Sequence, residues 1–107
     1  MTPKEFLARF KAYNDKLYSL IGRVRKIPNY SKSSDCTSFI SRANGALTVN
    51  RREYQRLAYY PENLKGVNME YYISELEEEI SIFEIKCTTL ERRPPIYVPY
   101  NPNAKRF

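Results

Sequence analysis

A chain of 107 residues can form one domain with a modest hydrophobic core, and it is too short for two independent ones. It contains no histidine, and its three glycines form no phosphate-cradling loop, so the residue types of most catalytic sites are scarce. The formal net charge of +6 favours an acidic partner, although residues 69–93 alone carry a net charge of −4.

The apolar stretches are only a few residues long, far below the ~20 residues needed to cross a bilayer, and the N-terminus shows no apolar signal core. The sequence therefore predicts a protein that is neither secreted nor membrane-spanning and that resides in the cytoplasm or in a virion. Without a secretory signal, Cys36 and Cys87 are expected to remain reduced and to act as small apolar residues.

A first helix is predicted to begin at Thr2, because Thr2, Pro3 and Glu5 form a capping-box pattern. Pro28 is expected to end it. Apolar residues between these limits alternate in spacings of four and three, which is a heptad seam. The seam consists of Phe6, Phe10, Tyr13, Leu17, Leu20, Val24 and Ile27.

The middle of the chain is less regular. Asp35 is a candidate N-cap for a helix, and Asn44–Gly45 is a candidate interruption of that helix. Asn50 indicates a second start. We therefore expect two short helices, or one kinked helix, followed by a loop over residues 61–67.

A last helix is predicted to begin after Asn68 as N-cap and to end before Pro94. It repeats the spacing of the first seam with Met69, Ile73, Leu76, Ile80, Phe83, Cys87 and Leu90. The predicted fold is all-α: a small three- to four-helix bundle over residues 1–93, with an extended, Pro/Tyr-rich C-terminal arm over residues 94–107.

Charges beside the two seams predict how the outer helices pair. In heptad notation the g positions of the first helix are basic and the e positions of the last helix are acidic, which in a parallel pair would match Arg9 with Glu77, Lys16 with Glu84, and Arg23 with Glu91. This pairing gives an up-down-up bundle. A parallel coil between two chains satisfies the same pattern. An antiparallel hairpin is a competing arrangement, because the basic end of the first helix also attracts the acidic start of the last.

An arginine-rich stretch in the middle segment is the best candidate for nucleic-acid binding, since basic groups hold phosphate and aromatic rings stack on bases. A mixed structural surface is the commoner outcome for such a stretch. The candidate residues are Arg42, Arg51, Arg52, Arg56 and Tyr54.

Acidic residues cluster at Glu75, Glu77, Glu78 and Glu79. They lack the Asp/Asn/Gly loop pattern of a cation site, so a solvated or salt-bridged helix face is expected. No metal or cofactor site is predicted.

The C-terminal arm is the least ordinary segment, because four prolines separate its apolar residues. Composition alone favours a tail without regular structure. Apolar anchors on a stiff, extended chain are, however, suited to lying in a partner's groove. The predicted partner-binding residues are Ile96, Tyr97, Val98, Tyr100 and Phe107.

These features together favour a non-enzymatic structural or connector subunit of a large assembly, such as a phage head, neck or tail component of a virion. Its expected partners are other protein subunits, with self-association as one form. One alternative is a nucleic-acid-binding subunit of a ribonucleoprotein or replication complex that uses the arginine-rich stretch. A second alternative is a small inhibitor that binds one enzyme.

Overall fold

The computed structural model describes residues 1–93, and these residues confirm the predicted all-α bundle. The three long helices are α1 (Pro3–Arg25), α2 (Ser34–Tyr59) and α3 (Met69–Arg92), and short 3-10 helices lie at Tyr30–Lys32 and Pro61–Leu64. No β-strand occurs within residues 1–93. The C-terminal arm lies outside the described residues.

α1 begins where the capping pattern predicts. The Thr2 side-chain oxygen accepts a hydrogen bond of 3.1 Å from the backbone N–H of Glu5. The helix ends at Arg25, before Pro28 is reached, and the backbone N–H of Lys26 bonds back to the carbonyls of the last turn. Ile27 therefore lies beyond the helix, yet its side chain is buried in the core.

α2 is one uninterrupted helix, so the predicted break at Asn44–Gly45 and the predicted second start at Asn50 are both wrong. A glycine inside a helix costs ~1 kcal/mol relative to alanine. Ala43 and Leu47, on either side of the glycine, are both buried, and this packing outweighs the local weakness.

The N-cap of α2 is Ser33 rather than Asp35. The Ser33 hydroxyl accepts a hydrogen bond of 3.3 Å from the backbone N–H of Cys36, and Ser33 itself has the extended backbone typical of an N-cap. Asp35 instead lies in the first turn, where its negative charge suits the helix dipole. The predicted loop over residues 61–67 also contains helical structure, because Pro61–Leu64 forms a single 3-10 turn.

α3 starts and ends as predicted. The Asn68 side chain accepts a hydrogen bond of 3.1 Å from the backbone N–H of Tyr71, and the helix continues to Arg92, next to the two prolines.

The bundle has the predicted up-down-up arrangement within one chain. α1 runs antiparallel to α2, as shown by ring contact between Phe10 and Tyr54 (centroids 5.6 Å apart) and by a hydrogen bond from Asn14 to Asn50. α1 runs parallel to α3, as shown by ion pairs between the two helices whose residue numbers differ by a constant offset. α1 packs against both other helices, whereas α2 and α3 contact each other only sparsely.

The two heptad seams are buried to different extents. Every seam residue of α1 is buried, whereas on α3 only Ile73, Leu76 and Cys87 are. The other four positions of the α3 seam, Met69, Ile80, Phe83 and Leu90, are partly buried. α1 is therefore the central helix. No helix within residues 1–93 is both long enough and apolar enough to cross a membrane.

Candidate protein-binding surface

One side of the bundle is joined by ion pairs between α1 and α3. The Arg9 guanidinium lies 2.5 Å from the Glu77 carboxylate and the Lys16 ammonium lies 3.2 Å from that of Glu84. Arg23 donates from both Nε and Nη2 to Glu91, which raises the pKa of the guanidinium and lowers the pKa of the carboxyl. All three predicted pairs are therefore present.

A different face of α3 borders α2 at the end of the bundle where α2 begins and α3 ends. A groove of about 490 Å³ runs between them there, and we call it the α2–α3 groove. Its lining residues come from the first turns of α2 and the last turns of α3. They are Asp35, Ser38, Phe39, Arg42, Phe83, Ile85, Lys86, Thr89 and Leu90.

Two phenylalanines line the groove, and the remaining α2 residues in its lining are polar. Phe39 and Phe83 meet edge-on with ring centroids 5.7 Å apart, and both rings line the groove. The other α2 residues in the lining are Asp35, Ser38 and Arg42, none of which has an apolar side chain. The result is an apolar groove bordered by charged and polar side chains.

Two exposed isoleucines extend the apolar surface of this face of α3. Ile85 lines the groove with 66% of its surface exposed, and Ile82, one turn earlier, is 51% exposed. In the heptad they occupy the f and c positions, which face away from the seam and are normally polar. Neither isoleucine was predicted as a binding residue, although apolar residues at these two heptad positions are visible in the sequence.

A polar cluster links all three helices near the middle of the bundle. The Tyr13 hydroxyl donates to the Glu79 carboxylate (3.0 Å) and accepts from the Asn50 amide (3.2 Å). Burial, followed by the nearby Glu79 carboxylate, raises the pKa of Tyr13. Asn14 is buried beside this cluster, and its Oδ1 has no hydrogen-bond partner within residues 1–93. Tyr13 was predicted only as a seam residue, so this polar role was missed.

The predicted partner-binding residues of the C-terminal arm all lie outside the described residues. Their assignment, namely Ile96, Tyr97, Val98, Tyr100 and Phe107, therefore stays a prediction. The described chain leads up to the arm near the groove, because α3 ends within one turn of the last groove residue, Leu90.

The candidate nucleic-acid residues share one helix but do not form a single face. Arg42 and Arg51 are nine residues apart, which places them about 180° apart around the helix axis. The Arg51 guanidinium lies over the Tyr18 ring at 5.3 Å, and Arg56 pairs with Glu53.

The remaining two candidates differ in exposure. Tyr54 is half-buried against Phe10, whereas Arg52 is exposed. The structure thus holds Arg51, Arg56 and Tyr54 in contacts within the bundle, so their availability to nucleic acid stays a prediction.

Two of the four residues in the acidic run on α3 make contacts within the bundle. Glu77 pairs with Arg9, and Glu79 accepts from Tyr13. Residues 1–93 contain no group of three or more side chains suited to holding a metal ion. Cys36 and Cys87 are both buried and free, and burial raises the pKa of the Cys87 thiol.

No protein-family model matches this chain, and no curated protein or solved structure is significantly similar to it.

Proposed function

We propose that this chain is a non-enzymatic structural subunit that joins a larger assembly by binding protein through the α2–α3 groove and the C-terminal arm. The observation that carries the proposal is the apolar groove flanked by the exposed side chains of Ile82 and Ile85. Apolar surface that is continuous and rimmed by polar residues is typical of protein-binding sites.

The shape of the groove favours a narrow ligand. It is lined by two helices and has Phe39 and Phe83 in its walls, so it suits a few side chains of an extended or helical segment better than a broad, flat surface. The exposed charges of Arg42 and Lys86 border it and would set the orientation of that segment.

The ion pairs between α1 and α3 support a scaffold role. They fix the register of the two outer helices, and they lie on the side of α3 that faces away from the groove. The buried seam of α1 connects that side of the bundle to α2. A groove between helices that are held in register presents a preformed surface, which lowers the entropic cost of binding.

A virion is the assembly that we propose, with a phage head, neck or tail as the specific setting. This part of the proposal rests only on composition, above all on ten tyrosines in 107 residues. An inhibitor that binds one enzyme could use the same groove, and its complex would contain one copy of each protein.

The proposal is tested by isolating the untagged native complex and measuring its mass by native mass spectrometry. We expect the wild-type chain in a particle with several protein subunits. Ile85→Asp should weaken incorporation, whereas Val49→Asp, at an equally exposed position (64%) outside the groove, should not. A one-to-one complex with an enzyme would favour the inhibitor alternative, and salt-sensitive binding of generic RNA or DNA would favour the nucleic-acid alternative.

A further inference from the structure

The α2–α3 groove opens at the end of the bundle from which the C-terminal arm departs. The α3 side of the groove runs from Phe83 to Leu90, and α3 itself ends at Arg92. The backbone N–H of Arg93 still bonds to the carbonyl of Thr89, so the path of the chain is fixed up to the first proline. The arm therefore starts beside the mouth of the groove.

The first apolar residues of the arm match the groove in chemistry and length. Ile96, Tyr97 and Val98 stand between Pro95 and Pro99. From Phe83 to Leu90 the helix rises about 10 Å, and three extended residues span about the same distance. Apolar side chains would contact the groove's phenylalanines, and a tyrosine hydroxyl would find a polar partner at its border.

The two prolines that follow Arg93 decide which groove the arm can reach. Each proline fixes φ near −65° and pushes the preceding residue towards extended backbone. For Ile96 to reach Leu90 of its own chain, the backbone would have to turn back at Pro94 and Pro95, two positions where φ is restricted. The two prolines therefore favour the groove of a second copy over the groove of the same chain.

The groove and the last residue before the arm lie at the same end of the bundle, so two copies can exchange their arms reciprocally. When two copies meet end to end, the arm of each can lie in the groove of the other. The two contacts are then identical and are related by a two-fold axis. We propose that this chain forms a two-fold dimer in which the segment Ile96–Val98 of each copy occupies the α2–α3 groove of its partner. This inference rests on the proposed function and identifies the first protein partner as a second copy.

The first experiment measures mass in solution by light scattering and native mass spectrometry across a range of concentrations. We expect the 107-residue chain at twice its mass of 12.7 kDa. Ile85→Asp should raise the dimer dissociation constant by at least about tenfold, since it places a charge against an apolar arm. Val49→Asp is the matched control and should leave the constant unchanged.

A mixing experiment separates exchange between copies from occupation of a chain's own groove. The arm variant, Ile96→Asp combined with Val98→Asp in the 107-residue chain, keeps its groove, and Ile85→Asp keeps its arm. Each should be monomeric alone. Mixed, they should form a heterodimer with one working contact, because the intact arm of one chain enters the intact groove of the other.

Helical circular dichroism matching the wild type shows that each variant is folded, as expected for changes at Ile85 and Val49, which are both exposed. A wild-type chain that stays monomeric at all concentrations, a dimer unaffected by Ile85→Asp, or the absence of the heterodimer would each overturn the inference. If the chain is monomeric but Ile85→Asp still prevents incorporation into the native particle, only the dimer is wrong and the proposed function stands.

Discussion

The Lys16 ammonium and the Glu84 carboxylate face each other at 3.2 Å between α1 and α3, midway between two ion pairs of the same register. Their side chains are 44% and 47% exposed, so solvent weakens their attraction. Such a pair selects an orientation for the helices more than it stabilises the fold.

Charge reversal tests this pairing. Lys16→Glu and Glu84→Lys should each lower the free energy of unfolding slightly, and the double variant should recover most of the loss, with a coupling of about 0.2–1 kcal/mol. Urea denaturation at low salt gives the values, and the coupling should shrink at high salt. Zero coupling at low salt would mean that this pair does not contribute to the parallel arrangement.

Acid should weaken the α1–α3 contact. Because the Arg23 hydrogen bonds lower the pKa of Glu91 in the folded protein, this carboxyl stabilises the fold above its unfolded pKa of about 4.3, and the contribution is lost as pH falls through the lower folded value. The free energy of unfolding should therefore fall less between pH 6 and pH 3 for Glu91→Gln than for the wild type. An equal fall for Glu91→Gln and for the wild type would contradict the lowered pKa of Glu91.

Replacing a helical glycine and a turn glycine with alanine should change the stability in opposite directions. A Cβ added at Gly45 meets no atom within 4 Å in the described structure, so Gly45→Ala should stabilise α2 by about 0.5–1 kcal/mol. Gly66 has a φ of +79°, and Gly66→Ala should destabilise by about 1–2 kcal/mol because a side chain disfavours that conformation. Thermal unfolding of both variants measures the two effects. A loss of stability in Gly45→Ala would indicate that the α2 backbone needs the glycine.

Tyr13→Phe tests the polar cluster at the centre of the bundle. Removing the hydroxyl leaves the Glu79 carboxylate and the Asn50 amide without their shared partner, which should cost about 1–2 kcal/mol near pH 8. Because the folded pKa of Tyr13 is raised, the phenol ionises in the unfolded chain first, so its stabilising contribution is lost as pH rises above about 10. The difference between wild type and variant should therefore narrow between pH 8 and pH 10.5. A constant difference would contradict the raised pKa.

Periodicity and charge predicted the helices that obey local rules. Thr2 and Asn68 cap helices in the structure, as the sequence pattern predicts. The spacing of the seams predicts both outer helices. α2 was misread because Gly45 and Asn50 are weak local breakers whose effect depends on the contacts around them. The Asn50 side-chain amide donates a hydrogen bond to Tyr13 on another helix. A local sequence pattern does not reveal such a contact.

The candidate site was harder to predict than the fold, because a groove depends on which side chains two neighbouring helices place beside each other. Ile85 was visible as an apolar residue on a polar face. That Ser38 and Arg42 line a groove together with the last turns of α3 depends on the register of α2, which the sequence pattern left open. The arm was predicted from composition, and its residues stay predictions.

The two heptad seams look equivalent in sequence, yet truncating them should have unequal effects. Leu17 on α1 is 0% exposed, whereas Leu90 on α3 lines the groove and is only half-buried. Leu17→Ala should cost about 2–5 kcal/mol, because it removes apolar contacts and leaves a cavity in the central helix, while Leu90→Ala should cost about 1 kcal/mol. Denaturation of the two variants at a concentration where the chain is monomeric measures the effects without a contribution from self-association. Equal losses at the two positions would mean that the α3 seam is as deeply packed as that of α1. The groove beside Leu90 would then be filled in solution, and the binding surface would have to be sought on another face of the bundle.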